Sequence, residues 1–359
     1  MGPKSLADLQ PAGLAPQFAQ PKGSLYNLGS LLEASALIAK LRFKFNRQDL
    51  VSFALTLGAV TLLLKQAHPL TILKLILNST PSWILLSVAL YGFVNIIRAF
   101  RLRVLYYEAE SKTTSFLPLI FVQVFLNNLL PARLGEVAFV YLLKADYEVE
   151  WGKGVVLLLG LRLLDYLAVS LMFLAAGLFS LSQGNEPLLL ASLFLAILVL
   201  FAFFLAAVRR LSEPIEKLLT PWERNKFGRQ ILIGFRFLIK APIFSVLLPA
   251  FTVSIALWVG IFGCFWLILK GLGYNPAFLQ VIFGATFAVF SKALPWLTVG
   301  GIGAHESGWT VGFMLQGWDK VDAIASGFAV NLFTLVTSAV FGIWGLLWLR
   351  LARGNSWSK

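Results

Sequence analysis

Long apolar stretches separated by short clusters of charged residues set the pattern of this chain. Apolar runs of this length predict membrane-spanning helices, because a helix needs about 20 mostly apolar residues to cross a hydrocarbon core of about 30 Å. Six spans are predicted, at residues 49–65, 82–98, 154–181, 187–208, 242–269 and 322–349. The first two are short, so we expect their flanking charges to extend to the interface or the bilayer to be locally thinner.

Two further apolar runs, residues 114–143 and 277–317, are broken by Pro and Gly. Lys and Arg are concentrated in four connections, which the positive-inside rule places in the cytoplasm. These connections are residues 1–50, 98–112, 209–240 and 350–359. With that orientation, each broken run begins and ends on the same side of the membrane. We therefore predict two re-entrant helical hairpins that enter from opposite faces; the alternative is that both runs are ordinary spans.

The order of elements predicts an internal repeat. A span, a hairpin and a second span follow one another in each half of the chain, and the second copy runs upside down. Inverted repeats with broken helices are typical of alternating-access transporters. The predicted fold class is an all-α polytopic membrane protein with about six full spans plus two opposed re-entrant hairpins in an inverted repeat.

The predicted domain organisation follows from these elements. A transmembrane domain at 49–350 has a first half at 49–208, with hairpin 114–143, and a second half at 242–349, with hairpin 277–317. A basic cytoplasmic connection, 209–241, joins the halves, and residues 351–359 form a short cytoplasmic tail. Residues 1–48 form a cytoplasmic tail, in which apolar positions at spacings of three and four indicate either an interfacial helix or an ordinary tail.

Composition excludes a soluble globule. The chain has 359 residues, 58% hydrophobic and 13% charged, and its mean hydropathy is +0.80. Because the basic residues behind the net charge of +13 flank apolar segments, anionic lipid headgroups are favoured as partners over nucleic acid. One cysteine gives no disulfide framework, and two histidines are too few for a His/Cys metal site, although a carboxylate-rich site stays open. No cofactor is indicated.

The break in the first hairpin carries the first candidate site residues, Asn128, Arg133 and Glu136. Arg133 and Glu136 are three residues apart, so they meet on one face if the second arm begins as a helix. They form either half of a binding site or a structural ion pair at the hairpin tip. Charged groups at membrane depth must line a wet cavity or be buried in protein.

A second Arg–carboxylate pair, Arg162 and Asp165, repeats the same spacing in the middle of a predicted span. Buried ion pairs add little net stability over apolar replacements, so a functional role is favoured, with structural specificity as the alternative. Because guanidinium groups match phosphate oxygens, Arg133 and Arg162 are predicted to hold a lipid phosphate, while the carboxylates neutralise them in the empty site.

The second hairpin contributes Gly300, Gly301, His305 and Glu306. The glycines indicate a tight turn or a phosphate-binding nest. Glu306 either titrates, with His305 beside it, or accepts hydrogen bonds from hairpin backbone amides. Arginines at the end of the second span are interpreted as headgroup anchors at the cytoplasmic boundary. These arginines are Arg98, Arg101 and Arg103.

Three motifs resemble the flippase-like membrane domain of lysylphosphatidylglycerol synthases, over roughly residues 50–350. They are Asn128-Leu-Leu-Pro-Ala-Arg-Leu-Gly-Glu136, Leu161-Arg162-Leu-Leu-Asp165 and Gly300-Gly-Ile-Gly-Ala-His-Glu306. The family commonly has Glu-Arg where this chain has Leu161-Arg162, and Arg-Glu where it has His305-Glu306. The missing Arg weakens the prediction of a two-arginine clamp in the second hairpin. The synthases' soluble aminoacyl-transfer domain does not follow the last span, so lipid aminoacylation is not implied.

Together, the residues and the resemblance predict a lipid flippase or transporter that moves an anionic phospholipid or polyprenyl-phosphate-linked lipid between leaflets. No nucleotide-binding motif is present, so movement is expected to be downhill or ion-coupled, with Glu136, Asp165 and Glu306 as candidates for proton coupling. The alternatives are an intramembrane enzyme acting on a lipid phosphate and a non-transporting partner of a glycosyltransferase. The expected location is the inner (plasma) membrane, with both termini cytoplasmic; a homodimer is left open.

Overall fold

The computed structural model of the chain describes residues 57–58, 60–107, 112–130, 134–182, 216–217, 220–293 and 301–354. Within these ranges the chain is helical and contains no strand. The predicted N-terminal interfacial helix and the predicted span 187–208 lie outside the described residues. So do two of the predicted site residues, Arg133 and Gly300.

Eleven α-helices are numbered here in the described part of the chain. They are α1 (Val60–Gln66), α2 (Pro69–Leu77), α3 (Pro81–Leu105), α4 (Leu117–Leu129), α5 (Leu134–Tyr147), α6 (Trp151–Ser182), α7 (Lys226–Lys240), α8 (Leu248–Gly271), α9 (Phe278–Ala293), α10 (Ala304–Met314) and α11 (Lys320–Gly354). Short 3₁₀ turns at Thr113–Phe116 and Thr220–Arg224 precede α4 and α7, and a π-helical turn at Ile243–Leu247 leads into α8.

Four of the predicted spans are confirmed as helices long and apolar enough to cross a membrane. They are Pro81–Leu105, Trp151–Leu178, Phe244–Gly271 and Lys320–Leu351. Large apolar side chains such as Leu85, Phe93 and Val340 lie more than half exposed on them. Exposed apolar surface on this scale is unusual in a soluble protein, so these faces are the ones that contact lipid. The protein is therefore a multi-pass membrane protein.

The first predicted span, 49–65, is described at residues 57–58 and 60–65, where it is helical, and the apolar segment bends just beyond it. Helix α1 ends at Gln66, and α2 leaves it at an angle of 78°. The bend has a local cause, because Pro69 at the start of α2 cannot continue the preceding helix. His68 caps the new helix, its Nδ1 accepting a hydrogen bond from the Leu70 N–H at 3.4 Å.

The two broken apolar runs each form a pair of short antiparallel helices. Helices α4 and α5 have 13 and 14 residues and span about 20 Å each at roughly 1.5 Å per residue, which is too short to cross the membrane. Phe116 at the start of α4 stacks on Tyr147 at the end of α5. Gly135 at the start of α5 lies against Asn127 near the end of α4, so the two arms run in opposite directions.

Helices α9 and α10 pack through glycines. Gly308 lies against the Phe287 backbone, and Gly312 lies against Gly284, so the arms are antiparallel. A Cβ atom on Gly312 would overlap the Gly284 backbone, and one on Gly284 would press on the Phe313 ring, so glycine fits both positions. We call α4–α5 the first helix pair and α9–α10 the second.

Each short pair packs against a long helix from the other half of the chain. Phe121 of α4 lies against Gly345 of α11 and stacks on Trp344. Phe283 of α9 stacks on Phe173 of α6 at 4.9 Å. Helices α3 and α8 pack together in an antiparallel arrangement. The side chains of Ser87 and Cys264 each donate a hydrogen bond to the backbone carbonyl of the other residue. The described fold thus brings both helix pairs around one central region.

Candidate functional site

A cavity of about 260 Å³ lies where the two helix pairs and the four long helices meet. Both pairs and all four long helices supply lining residues. Its charged and strongly polar lining residues, among those the structure describes, are Arg98, Arg101, Gln123, Asn127, Asn128, Arg162, Asp165, Lys292, His305 and Asn331. Cavities that hold drug-sized ligands are about 300–1,000 Å³, so this one has room for a headgroup rather than for acyl chains.

Asp165 is the centre of the charged part of the cavity. It lies near the middle of span Trp151–Leu178 and is 7% exposed. Both of its oxygens accept from the Arg101 guanidinium, and the second of these bonds is 3.4 Å long. Trp258 of α8 donates from its indole nitrogen at 2.9 Å. One carboxylate therefore joins three helices through side chains far apart in sequence.

Arg101 lies in a different environment from the one that the sequence predicted. It was expected to anchor lipid headgroups at a boundary, but its side chain is only 6% exposed and pairs with Asp165. Its Nη1 also donates to the Ser254 hydroxyl at 3.0 Å. The headgroup-anchor prediction is wrong for this residue because the helix turns its Arg101 face towards α6 and α8. Its Nε has no partner among the described residues.

Arg162 connects the first helix pair to the same carboxylate. Its guanidinium lies 2.7 Å from Glu136 and 3.8 Å from Asp165. The predicted i, i+3 pair with Asp165 is thus present but is the looser of its two ion pairs. Glu136 was predicted to pair with Arg133, which lies outside the described residues; the described partner of Glu136 is Arg162. The Arg162 Nε is buried and has no partner in the described part of the chain.

The two helix pairs meet through Lys292 and Asn128. The Lys292 ammonium group, near the end of α9, donates to the Asn128 side-chain oxygen of α4 at 3.1 Å. The Lys292 methylenes lie against Gly301, whose φ of +77° is the left-handed conformation that favours glycine. The motif of the second broken run lacks an arginine, and Lys292, which was not among the predicted site residues, places a cation there from the opposite arm.

Glu306 closes the turn of the second helix pair. Its carboxylate accepts from the Gly303 N–H and from the Asn331 side-chain amide, each at 2.6 Å. Of the two roles predicted for Glu306, acceptance of backbone hydrogen bonds is therefore present. His305 beside it lines the cavity and packs between Phe265 and Trp309. The structure thus places five of the predicted residues at the cavity wall: Asn128, Arg162, Asp165, Gly301 and His305.

A metal centre is not evident in the ranges that the structure describes, where no group of three or more His, Cys, Asp or Glu side chains could hold an ion. The site is instead a connected set of cations and carboxylates. Arg98 lines the same cavity, donating to Asn95 at 2.8 Å and lying 5.8 Å from the Tyr91 ring. Such a set can bind an anionic group by exchanging carboxylate partners for ligand oxygens.

Comparison with known proteins agrees with the resemblance seen in the motifs. Comparisons with curated proteins and with solved structures find no match. A family model does match, and it covers residues 50–342, nearly the whole of the membrane region described above. The chain therefore belongs to the family described as "Lysylphosphatidylglycerol synthase TM region".

Proposed function

We propose that this protein is a lipid flippase or transporter that moves an anionic lipid, with a phospho- or polyprenyl-phosphate-linked headgroup, between the two leaflets. The observation that carries this proposal is the charge of the cavity. Four cations line it, namely Arg98, Arg101, Arg162 and Lys292, whereas Asp165 is the one carboxylate among its described lining residues. Cations at membrane depth are costly unless they serve a ligand or pathway.

The length of the cavity supports transport rather than surface binding. Along α3 its lining extends from Ser87 to Arg101, which is about 21 Å at roughly 1.5 Å per residue. That is about two thirds of a hydrocarbon core of roughly 30 Å. Polar side chains of α3, namely Ser87, Tyr91, Arg98 and Arg101, recur along this length, so a headgroup in the cavity has hydrogen-bonding partners over much of the distance between the leaflets.

The packing of the helix pairs supports alternating access. Helix α4 packs on α11 and α9 packs on α6, so each pair packs on a long helix of the other half. Phe173 contacts Phe283 and Phe287, and Tyr166 contacts Phe290, which gives the α6–α9 contact the same antiparallel sense as the contact between α4 and α11. Packing of each helix pair on a long helix of the other half is expected of an inverted repeat. In such a repeat, rocking of one half exposes the site to each side of the membrane in turn.

The arginines supply the proposed headgroup site. Arg101 and Arg162 each have a buried Nε without a described partner, so each has a hydrogen bond left to give. In the empty site Asp165 and Glu136 neutralise them. A phosphate that enters replaces these carboxylates at one or both guanidinium groups, and the carboxylates recover the pairs when it leaves. Movement is downhill or coupled to an ion gradient, and no lipid chemistry is required.

The decisive experiment is a sided assay in proteoliposomes with fluorescent or radiolabelled anionic lipids, including a polyprenyl phosphate. Wild type is expected to equilibrate at least one of them across the bilayer. Arg162→Gln removes the fork that joins Glu136 to Asp165 and should abolish movement, whereas Arg162→Lys keeps the charge and should retain a part of it. Arg103→Gln is the matched control, because Arg103 lies on α3 but does not line the cavity.

Either of two results would count against the proposal. The first is full movement by the folded Arg162→Gln variant. The second is no movement of any lipid by correctly inserted wild type, which would favour a partner role, or an enzyme if a lipid phosphate is converted to product in detergent. Labelling of engineered cysteines from each side tests the proposed inner-membrane orientation with both termini in the cytoplasm.

A further inference from the structure

Helix α7 lies outside the central cavity, beside the ends of three spans. Its Phe237 ring stacks on Tyr107, two residues after α3 ends, with ring centroids 4.9 Å apart. Gly234 of α7 lies against Gly152 at the start of α6. The span Phe244–Gly271 begins four residues after α7 ends. Because these three span ends meet at α7, the helix lies at one boundary of the membrane.

The contacts of α7 indicate that it crosses α6 instead of running along it. Gln230 and Phe237 are seven residues apart, which is about 10 Å along the helix at roughly 1.5 Å per residue. Yet Gln230 accepts from the Gly152 N–H at 2.9 Å, and the Phe237 ring lies 5.9 Å from the Lys153 ammonium, one residue further along α6. Successive turns of α7 thus contact the same turn of α6. A helix that lies along the membrane surface and crosses the start of a span has such contacts.

The surface of α7 that does not contact α6 has two unlike faces. Arg229 and Lys240 are exposed on one of them, eleven residues apart and thus three turns along the same side. Ile231 and Phe235, four residues apart, share another face, and Ile231 is 36% exposed. A helix with one basic and one apolar face is typical of the membrane interface, with the apolar face at the acyl boundary and the basic face among the headgroups.

The charges around α7 leave an excess of cations. The described residues of 216–240 include six Lys or Arg and two Glu. Both glutamates pair with the same residue, Arg236, at 2.7 Å for Glu216 and 3.7 Å for Glu223. Two exposed glutamates in the loop before α6 reduce the excess without cancelling it, namely Glu148 and Glu150. The exposed Lys226, Arg229 and Lys240 have no carboxylate partner in the part of the chain that the structure describes.

We propose that α7 is a membrane-surface helix whose Lys226, Arg229 and Lys240 bind anionic lipid headgroups of the adjoining leaflet, apart from the transport cavity. In the proposed orientation this is the cytoplasmic leaflet. A lipid surface matches both faces of α7, because it presents headgroups and acyl chains side by side. A soluble acidic partner would match the basic face and leave the exposed Ile231 side chain without an apolar contact.

The first measurement locates the apolar face of α7. Full-length protein with Ile231→Cys or Arg229→Cys is labelled with an NBD fluorophore and reconstituted in phosphatidylcholine vesicles that contain doxyl-labelled phosphatidylcholine. The label at position 231 should be blue-shifted and quenched, whereas the label at position 229 should stay in water and be quenched far less. Unsubstituted protein, whose Cys264 is buried, controls for background labelling. Equally weak quenching at both positions would overturn the membrane-surface assignment.

The second measurement tests the preference for anionic lipid. Doxyl-labelled phosphatidylglycerol replaces the phosphatidylcholine quencher at the same mole fraction, and quenching of the label at position 231 reports local enrichment. One basic residue near an anionic surface gives about a 5-fold preference, which is about 1 kcal/mol, so enrichment of at least about 5-fold is expected. The enrichment should fall when salt is raised from about 0.1 M to 1 M, because the Debye length falls from about 10 Å to 3 Å.

Charge variants assign the enrichment to α7. Combined Lys226→Gln, Arg229→Gln and Lys240→Gln should bring it close to one, whereas exchange of Lys for Arg and of Arg for Lys at these positions should keep it. Lys74→Gln removes an exposed cation from α2 and should leave it unchanged. Equal quenching by the two lipids, or enrichment that survives the Gln replacements, would overturn the lipid site. The readout is lipid contact at α7, so none of these results depends on lipid transport.

Discussion

The buried pair between Arg101 and Asp165 offers a quantitative test of the site. Their side chains are 6% and 9% exposed, so removing either partner leaves a charge in a poorly hydrated place. Breaking a buried ion pair in this way costs about 3–5 kcal/mol, whereas replacing both partners by apolar groups is often close to neutral. The variants are Arg101→Met, Asp165→Leu and the double replacement.

The surroundings of each residue predict which single variant is worse. After Arg101→Met, Asp165 still accepts from Trp258 at 2.9 Å and lies 3.8 Å from the Arg162 guanidinium. After Asp165→Leu, the described partner left to the Arg101 guanidinium is the Ser254 hydroxyl. We therefore expect Arg101→Met near the lower end of that range, about 3 kcal/mol, and Asp165→Leu near the upper end, about 5 kcal/mol.

The double variant should be more stable than Asp165→Leu alone. The double variant still leaves the Trp258 N–H without its acceptor, which costs about 1–3 kcal/mol. We expect its total loss of unfolding free energy to be of that size. Unfolding in mixed micelles, followed by tryptophan fluorescence, measures the free energies. The exposed pair of Arg236 and Glu216, at 2.7 Å, is the control, and its removal should cost under about 1 kcal/mol. Additive losses in the double variant would refute the buried-pair interpretation.

Three other substitutions test separate parts of the structure. Gly312→Val should destabilise the second helix pair by about 1–3 kcal/mol, because its side chain would meet the facing backbone, whereas Gly58→Ala, with open space around it, should be neutral in the same unfolding assay. Glu306→Gln should lower thermal stability in detergent and leave the pH profile of transport unchanged, since its carboxylate serves as a backbone acceptor; a shifted profile would support proton coupling instead. Lys292→Met should slow lipid movement in proteoliposomes about 5- to 10-fold by removing one charged hydrogen bond, and Lys74→Met, on the exposed face of α2, should have no effect.

The long helices could be predicted from the sequence because their signal is local. Four of the predicted spans lie within one to seven residues of the observed bounds at each end, and the two broken runs coincide with the two pairs of short helices. The Arg162–Asp165 contact was also predictable, because residues three apart on a helix share a face. Each of these predictions needs only the periodicity and length of one helix.

The partners that complete the site could not be predicted in the same way. Arg101 and Asp165 are 64 residues apart, and Lys292 and Asn128 are 164 apart. Which of several cations meets which carboxylate depends on how the long helices cross, and the crossing depends on contacts such as Gly345 against Phe121. Sequence spacing carries no information about those angles.

A usable signal for Arg101 was nevertheless present along α3. Ser87, Tyr91, Asn95, Arg98 and Arg101 recur at spacings of four, four, three and three in an otherwise apolar helix, and so form one polar stripe. Counting Lys and Arg at the end of an apolar run treats such arginines as topology signals and ignores the face on which they lie. A polar stripe that continues to mid-helix instead indicates a helix face that contacts protein or water, because polar side chains that face lipid are energetically costly. Four of these five residues line the cavity, and the fifth, Asn95, holds Arg98 in place.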